Sequence, residues 1–153
     1  MKRKKVVASI LTGSIMLFGS ILPAGQASAA VSASGLISSA KTLMGTPYVF
    51  GGTSTSGFDC SGFIDYIFKK QHVSLPRTAD GIYQQGKSVS RSSLRPGDLV
   101  FFKTSRSSAH ISHTGMYIGN GKFIHAATSK GVSISDLNDQ YYWGSRYAGA
   151  KRI

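Results

Sequence analysis

The chain holds one cysteine, Cys60, and four histidines, of which His113 and His125 lie in strand-like surroundings. A thiol, an imidazole base and a third group that orients the base are the parts of nucleophilic acyl transfer. Cys60 stands in Gly57-Phe58-Asp59-Cys60-Ser61-Gly62-Phe63. Phe63, Ile64, Ile67 and Phe68 follow at the spacing of one helix face, and Asp59 has the side chain of an N-cap. Cys60 is therefore expected in the first turn of a helix, where unpaired backbone N–H groups and the helix dipole favour a thiolate. A lone cysteine is more commonly a small buried hydrophobe, so the residue type alone makes Cys60 only a candidate nucleophile. His110 belongs to a serine-rich loop. His72 belongs to a polar helix exit, where a solvated surface role is expected.

Elements must bring these groups together. Leu36, Ile37, Ala40, Leu43 and Met44 form one stripe, which predicts a helix over 34–44, with Ser34 as its cap and Gly45 and Pro47 at its end. The helix that starts at Cys60 is expected to reach about residue 70, and Pro76 to open a short third helix to about residue 85. The second half reads as β. A turn at Arg95-Pro96-Gly97-Asp98 leads into a buried strand, Leu99-Val100-Phe101-Phe102. A polar loop over 104–108 precedes a hairpin of 114–118 and 122–126, then strands over 132–134 and 146–153. Helices first and strands after predict an α+β domain.

Hairpin register decides which histidines can meet. A two-residue Asn120-Gly121 turn alone would pair Met116 with His125 and put His113 on the opposite face. A three-residue Gly119-Asn120-Gly121 loop, or an equivalent bulge, sets Gly115 opposite His125 with His113 as its diagonal neighbour. The second register is the expectation. It leaves Thr114, Met116, Ile118, Ile124 and Ala126 as a layer on the other face, and His110 away from the histidine pair.

Met1-Lys2-Arg3-Lys4-Lys5, an apolar run to Leu22 and Ala27-Ser28-Ala29 read as a secretory signal peptide over 1–29. Residues 30–153 have the size of one domain. In an exported chain one cysteine can form no internal disulfide, and an unpaired thiol there favours a chemical use for Cys60. Residues 2–5 hold four of the 18 Lys and Arg; fourteen remain against six acids, all Asp, which leaves +8. Such a charge suits anionic wall polymers or a membrane surface. No basic-aromatic strip or motif points to nucleic acid. One Cys and dispersed His give no paired metal-ligand spacing, and no phosphate-binding loop is present, so neither metal nor other cofactor is expected.

Several motifs then fall in order from about residue 43 to the end. They are Gly45-Thr46-Pro47-Tyr48-Val49-Phe50-Gly51-Gly52, the Cys60 stretch, Leu75-Pro76-Arg77-Thr78, Arg95-Pro96-Gly97-Asp98-Leu99-Val100-Phe101-Phe102, His113-Thr114-Gly115-Met116-Tyr117-Ile118-Gly119 and Phe123-Ile124-His125-Ala126. In this the chain resembles the NlpC/P60 cell-wall peptidases. The resemblance implies a papain-like core with helices packed on an antiparallel sheet. It implies Cys60 as nucleophile, His113 as base and His125 as the orienting group. Tyr48, Asp59 and Ser61 would line the substrate cleft, Asp59 and Ser61 binding a free amine end. Arg77 matches a family position, with a structural hydrogen bond as its competing role. The implied reaction is cleavage within a peptidoglycan stem peptide, most often between D-γ-glutamate and the diamino acid, by a monomer. A non-catalytic wall-binding module, or an amidase or acyltransferase on the same scaffold, are the alternatives.

Overall fold

The computed structural model describes residues 30–105, 107 and 109–153; the expected signal peptide lies outside them. Three helices precede most of the sheet. Helix α1, Ala33–Thr42, buries Leu36 and Ala40. Its cap is Ser32 rather than Ser34, because the Ser32 hydroxyl accepts the Gly35 N–H at 3.2 Å. A two-residue ribbon, β1 (Thr53–Ser54) with β2 (Gly57–Phe58), leads into α2, Cys60–Lys69. Helix α3 is only Ala79–Tyr83. The expected start at Pro76 is displaced because Thr78 is extended and caps the helix, its Oγ1 accepting the Gly81 N–H at 3.1 Å.

The sheet has six antiparallel strands in the order β3-β8-β4-β5-β6-β7, where β3 is Lys87–Val89, β4 Leu99–Phe102, β5 His113–Gly119, β6 Lys122–Ala127, β7 Gly131–Asp136 and β8 Tyr147–Arg152. The edge strand β3 and a short helix α4, Trp143–Arg146, were not legible as elements in the sequence. Strand β4 is apolar at every position because both of its faces are covered. Leu99 and Phe101 join Phe63, Ile64, Ile67, Met116 and Ile124 under the helices. Val100 and Phe102 join Phe123, Leu137 and Ala150 on the other side, where Trp143 and Tyr147 close the layer. Helices α1, α2 and α3 packed on one face of an antiparallel sheet are the α+β arrangement expected.

The β5–β6 hairpin reaches the expected register by the bulge route. Asn120 and Gly121 sit at φ 52° and 71°, a two-residue turn of the left-handed kind, and Gly119 pairs with Lys122. The register then shifts at Ile118, so that Tyr117 pairs with Phe123 and Met116 with Ile124. Continued along the strand, that pairing sets Gly115 opposite His125. Met116, Ile124 and Ala126 pack towards the helices, and Ile118 lies against the same cluster. Thr114 is buried and its hydroxyl donates to the Val100 carbonyl at 3.1 Å.

Candidate active site

Asp59 is the N-cap of α2. Its carboxylate accepts the Gly62 N–H at 2.7 Å, and Cys60 is the first helical residue. The amphipathic body of α2 crosses the sheet, and its N-terminal end meets the start of β5. There the Cys60 thiol faces the Ser112 carbonyl oxygen at 4.0 Å, and the Thr114 N–H points at the sulfur. Cys60 therefore lies against the backbone on both sides of His113.

The histidines meet as the register requires. His113 Nε2 lies 2.7 Å from His125 Nδ1, with the rings at 86° to each other. The approach depends on Gly115, where a Cβ would stand 2.7 Å from the Phe123 ring and 3.0 Å from the His125 Cβ. The far nitrogen of His125, Nε2, is 2.8 Å from Ser135 Oγ on β7. Trp143 walls the pair, its ring centroid 5.0 Å from that of His113 and 4.8 Å from that of His125. Sequence reasoning missed both Ser135 and Trp143. Ser135 lay one residue past the expected strand, and its position depends on a β6–β7 pairing that no local pattern reveals. The lone tryptophan of the chain, next to Tyr141 and Tyr142, was the available signal for Trp143.

Burial sets the resting protonation. His113 is pushed down to about 4 by loss of solvent. His125 is pushed down to about 3 by the same cause, aided by His113 and Lys130. The Cys60 thiol is pushed up, first by burial and then by the Asp59 charge, against the Thr114, Ser61 and Cys60 N–H groups that favour thiolate. The expected depression of the Cys60 pKa is thus corrected: desolvation outweighs the helix start. At neutral pH the resting site holds a thiol and two neutral imidazoles, a state from which His113 can accept a proton.

Cys60 and His113 open onto different clefts. One, of about 420 Å³, has Cys60 in its wall together with Tyr48, Phe50, Asp59, Ser61 and Arg77. The other, of about 330 Å³, has His113 in its wall with Thr104, Thr128, Ser129, Tyr142 and Trp143. So Cys60, Tyr48, Asp59 and Ser61 are brought into one cleft, and His113 borders the other, while His125 is fully buried. Asp59 does not present a vacant carboxylate. Arg77 grips it with two bonds, Nη1 to Oδ1 at 3.0 Å and Nη2 to Oδ2 at 2.6 Å. Arg77 Nη1 also donates to Ser61 Oγ at 2.9 Å, and Ser61 donates to the Arg77 carbonyl at 2.7 Å. Although burial alone would raise the Asp59 pKa, the Arg77 and Gly62 hydrogen bonds hold it below the usual carboxylate range. Arg77 therefore has the structural bonds foreseen for it and also lines the cleft. His110 stands apart with Asp80, Nδ1 to Oδ2 at 3.7 Å, and His72 is exposed beyond α2. Among the described residues no group of three His, Cys, Asp or Glu side chains is placed to hold a metal.

The NlpC/P60 family profile matches residues 45–152. The chain is 55% identical over 119 residues to the probable peptidoglycan endopeptidase LytE of Bacillus subtilis, covering 77% of this chain and 34% of that protein. It is 46% identical over 110 residues to the murein DD-endopeptidase MepS/murein LD-carboxypeptidase of Escherichia coli K12, covering 71% of this chain and 56% of that one. The chain thus spans between a third and just over half of these relatives' lengths. A crystal structure of an NlpC/P60 family protein from Bacillus cereus superposes with a TM-score of 0.74 at 38% identity, over 80% of this chain and 40% of that one.

Proposed function

Because the chain belongs to the NlpC/P60 family and has its papain-like α+β fold, we propose that it is a cysteine peptidase that hydrolyses an amide in peptidoglycan stem peptides. The observation that carries this reading is the bonded pair His113–His125 beside a lone thiol at a helix start. His113 Nε2 is engaged by His125, which leaves Nδ1 to act on the thiol. As Cys60 Sγ bonds the scissile carbonyl carbon, its proton passes to His113 Nδ1. The carbonyl oxygen becomes an oxyanion within reach of the Cys60 backbone N–H. Collapse breaks the C–N bond, and His113 returns the proton to the departing amine. Water, deprotonated by His113, then releases the acid and restores the thiol.

The two clefts give this reaction a direction. The acyl fragment bonded to Cys60 occupies the cleft with Tyr48, Asp59, Ser61 and Arg77. The amine that receives a proton from His113 departs through the cleft with Thr104, Ser129, Tyr142 and Trp143. With Asp59 already paired to Arg77, an incoming ammonium would share an ion pair rather than meet a bare carboxylate. Residues 1–29 act as the export signal and 30–153 as the catalytic domain, which sets the protein to work outside the cell or in the wall. The +8 charge of 30–153 favours adhesion to anionic wall polymers.

The bond assigned is D-γ-glutamyl to diamino acid; the name of the E. coli relative points instead to a DD cross-link. Digestion of purified peptidoglycan, with mass spectrometry of the new amine and carboxyl ends, decides between them. Fragments ending in D-γ-glutamate are expected. No new ends with active wild-type control enzymes alongside would overturn the hydrolase reading. Ends at the cross-link would move the assignment to the DD bond.

A further inference from the structure

We propose that Ser135 is a positioning residue of this site: its hydroxyl oxygen accepts the outer N–H of His125 when His113 is charged, and so supports the imidazolium through His125. The inference rests on the Cys60–His113–His125 reading and adds a fourth member to it. Ser135 Oγ is 2.8 Å from His125 Nε2, and His125 Nδ1 is 2.7 Å from His113 Nε2. His125 itself is fully buried, so its outer nitrogen needs a partner within the protein.

Proton counting decides the direction of these bonds. When His113 has taken the thiol proton on Nδ1, both of its nitrogens carry hydrogen. Its Nε2–H must then donate to His125, so His125 Nδ1 must accept. A neutral His125 that accepts at Nδ1 carries its own hydrogen on Nε2, and that hydrogen points at Ser135 Oγ. The serine oxygen is therefore an acceptor in the charged state, and its own hydrogen turns outward, which its half-exposed position permits. No proton crosses either bond; the thiol proton stays on His113. In the reverse arrangement His125 donates from Nδ1, and neutral His113 carries its hydrogen on Nδ1, where it cannot accept from Cys60. In that arrangement the Ser135 hydroxyl can turn and donate to the bare His125 Nε2, so it follows either neutral tautomer; what it specifically supports, as an acceptor, is the charged state.

Among the described residues, the partner that His125 Nε2 has is Ser135 Oγ. The charges acting on His125 come from His113 and from Lys130 in the turn before β7, not from a carboxylate. Cys60 approaches from α2, and α4 presents the apolar ring of Trp143. A neutral hydroxyl oxygen here polarises the relay without placing an anion in a buried site.

The test measures imidazole nitrogen chemical shifts and turnover in the wild type, Ser135→Ala and Ser135→Thr. In the wild type at a pH where His113 is charged, His125 should show a protonated Nε2 and an unprotonated Nδ1. Ser135→Ala should lower the His113 pKa and cut kcat about fivefold with little change in KM, the scale of one lost hydrogen bond. Ser135→Thr should restore both. An unchanged His113 pKa and pH profile in Ser135→Ala, or a Thr variant as impaired as Ala with native spectra, would overturn the proposal. The nitrogen shifts need no substrate. If the shifts follow Ser135 but Cys60→Ala hydrolyses stem peptide normally, the peptidase reading fails while the positioning role stands.

Discussion

At the residue scale, the thiol is shaped by competing neighbours. Burial and the Asp59 charge oppose ionisation of Cys60, while nearby N–H groups support it. Cys60→Ala is expected to abolish hydrolysis without loss of fold, checked by peptide release and by circular dichroism; undiminished release would sink the cysteine mechanism. Arg77 enters the same balance at one remove. Its two bonds to Asp59 offset the negative charge beside the thiol. Arg77→Ala leaves that charge uncompensated, so the Cys60 pKa should rise further. The pH at which iodoacetamide alkylation of Cys60 reaches half its maximal rate should therefore move upward. A profile that stays in place, or moves to lower pH, would show that Arg77 does not act on the thiol through Asp59.

At the element scale, the β5–β6 hairpin holds the histidine pair by register. The bulge at Ile118 is the device that puts both rings on one face. Ile118 is the extra, unpaired residue, so deleting it should straighten the hairpin yet keep Tyr117 opposite Phe123, and the histidine pair and turnover should survive; loss of turnover would show that the bulge itself, and not only the register, is needed. Gly115→Ala is a gentler probe. The added methyl meets Phe123 and His125, so kcat should fall at least tenfold while KM holds, and the Ala variant should lose about 1–3 kcal/mol of stability from overpacking. Denaturant melts and steady-state kinetics together check this; an unaffected kcat would mean that the pair tolerates separation. Much of this layer was legible beforehand. The helix-face spacing after Asp59 located α2, and the unbroken apolar run located β4, because both signals are local. The hairpin required a choice between registers, and the constraint that two histidines share a face selected the right one. Thr78 in place of Pro76 as the start of α3, the edge strand β3 and Ser135 were harder. A cap competes with proline within two residues, a polar edge strand lacks alternation, and Ser135 takes meaning only from the strand beside it.

At the scale of the whole molecule, two buried neutral imidazoles tie stability to pH. His113 and His125 titrate at about 4 and about 3 in the fold, against 6.5 for a free imidazole. Between those values the unfolded chain binds protons that the native state does not, so stability is lost as pH falls from about 6.5 towards 4. Asp59, held below its ordinary 3.8, contributes stability that is lost only at lower pH still. Melting temperature should be nearly level above pH 7 and decline through that window, and His125→Gln should flatten the decline; an equal slope in both proteins would remove the imidazoles as its cause. Surface charge should act separately. Wall binding should weaken with salt, since exposed charges are screened over about 8 Å at physiological ionic strength, whereas hydrolysis of a short stem peptide should respond little; parallel loss in both assays would contradict the adhesion role. Because Cys60 and His113 open onto different clefts, the proposed reaction also has an order of events. The amine product must vacate its cleft while the other half of the substrate is still covalently held, and the space it leaves is the path by which the next nucleophile arrives. On that reading any amine that reaches the cleft competes with water for the thioester, so the balance between cutting a bond and rejoining it is set by what refills an emptied cleft.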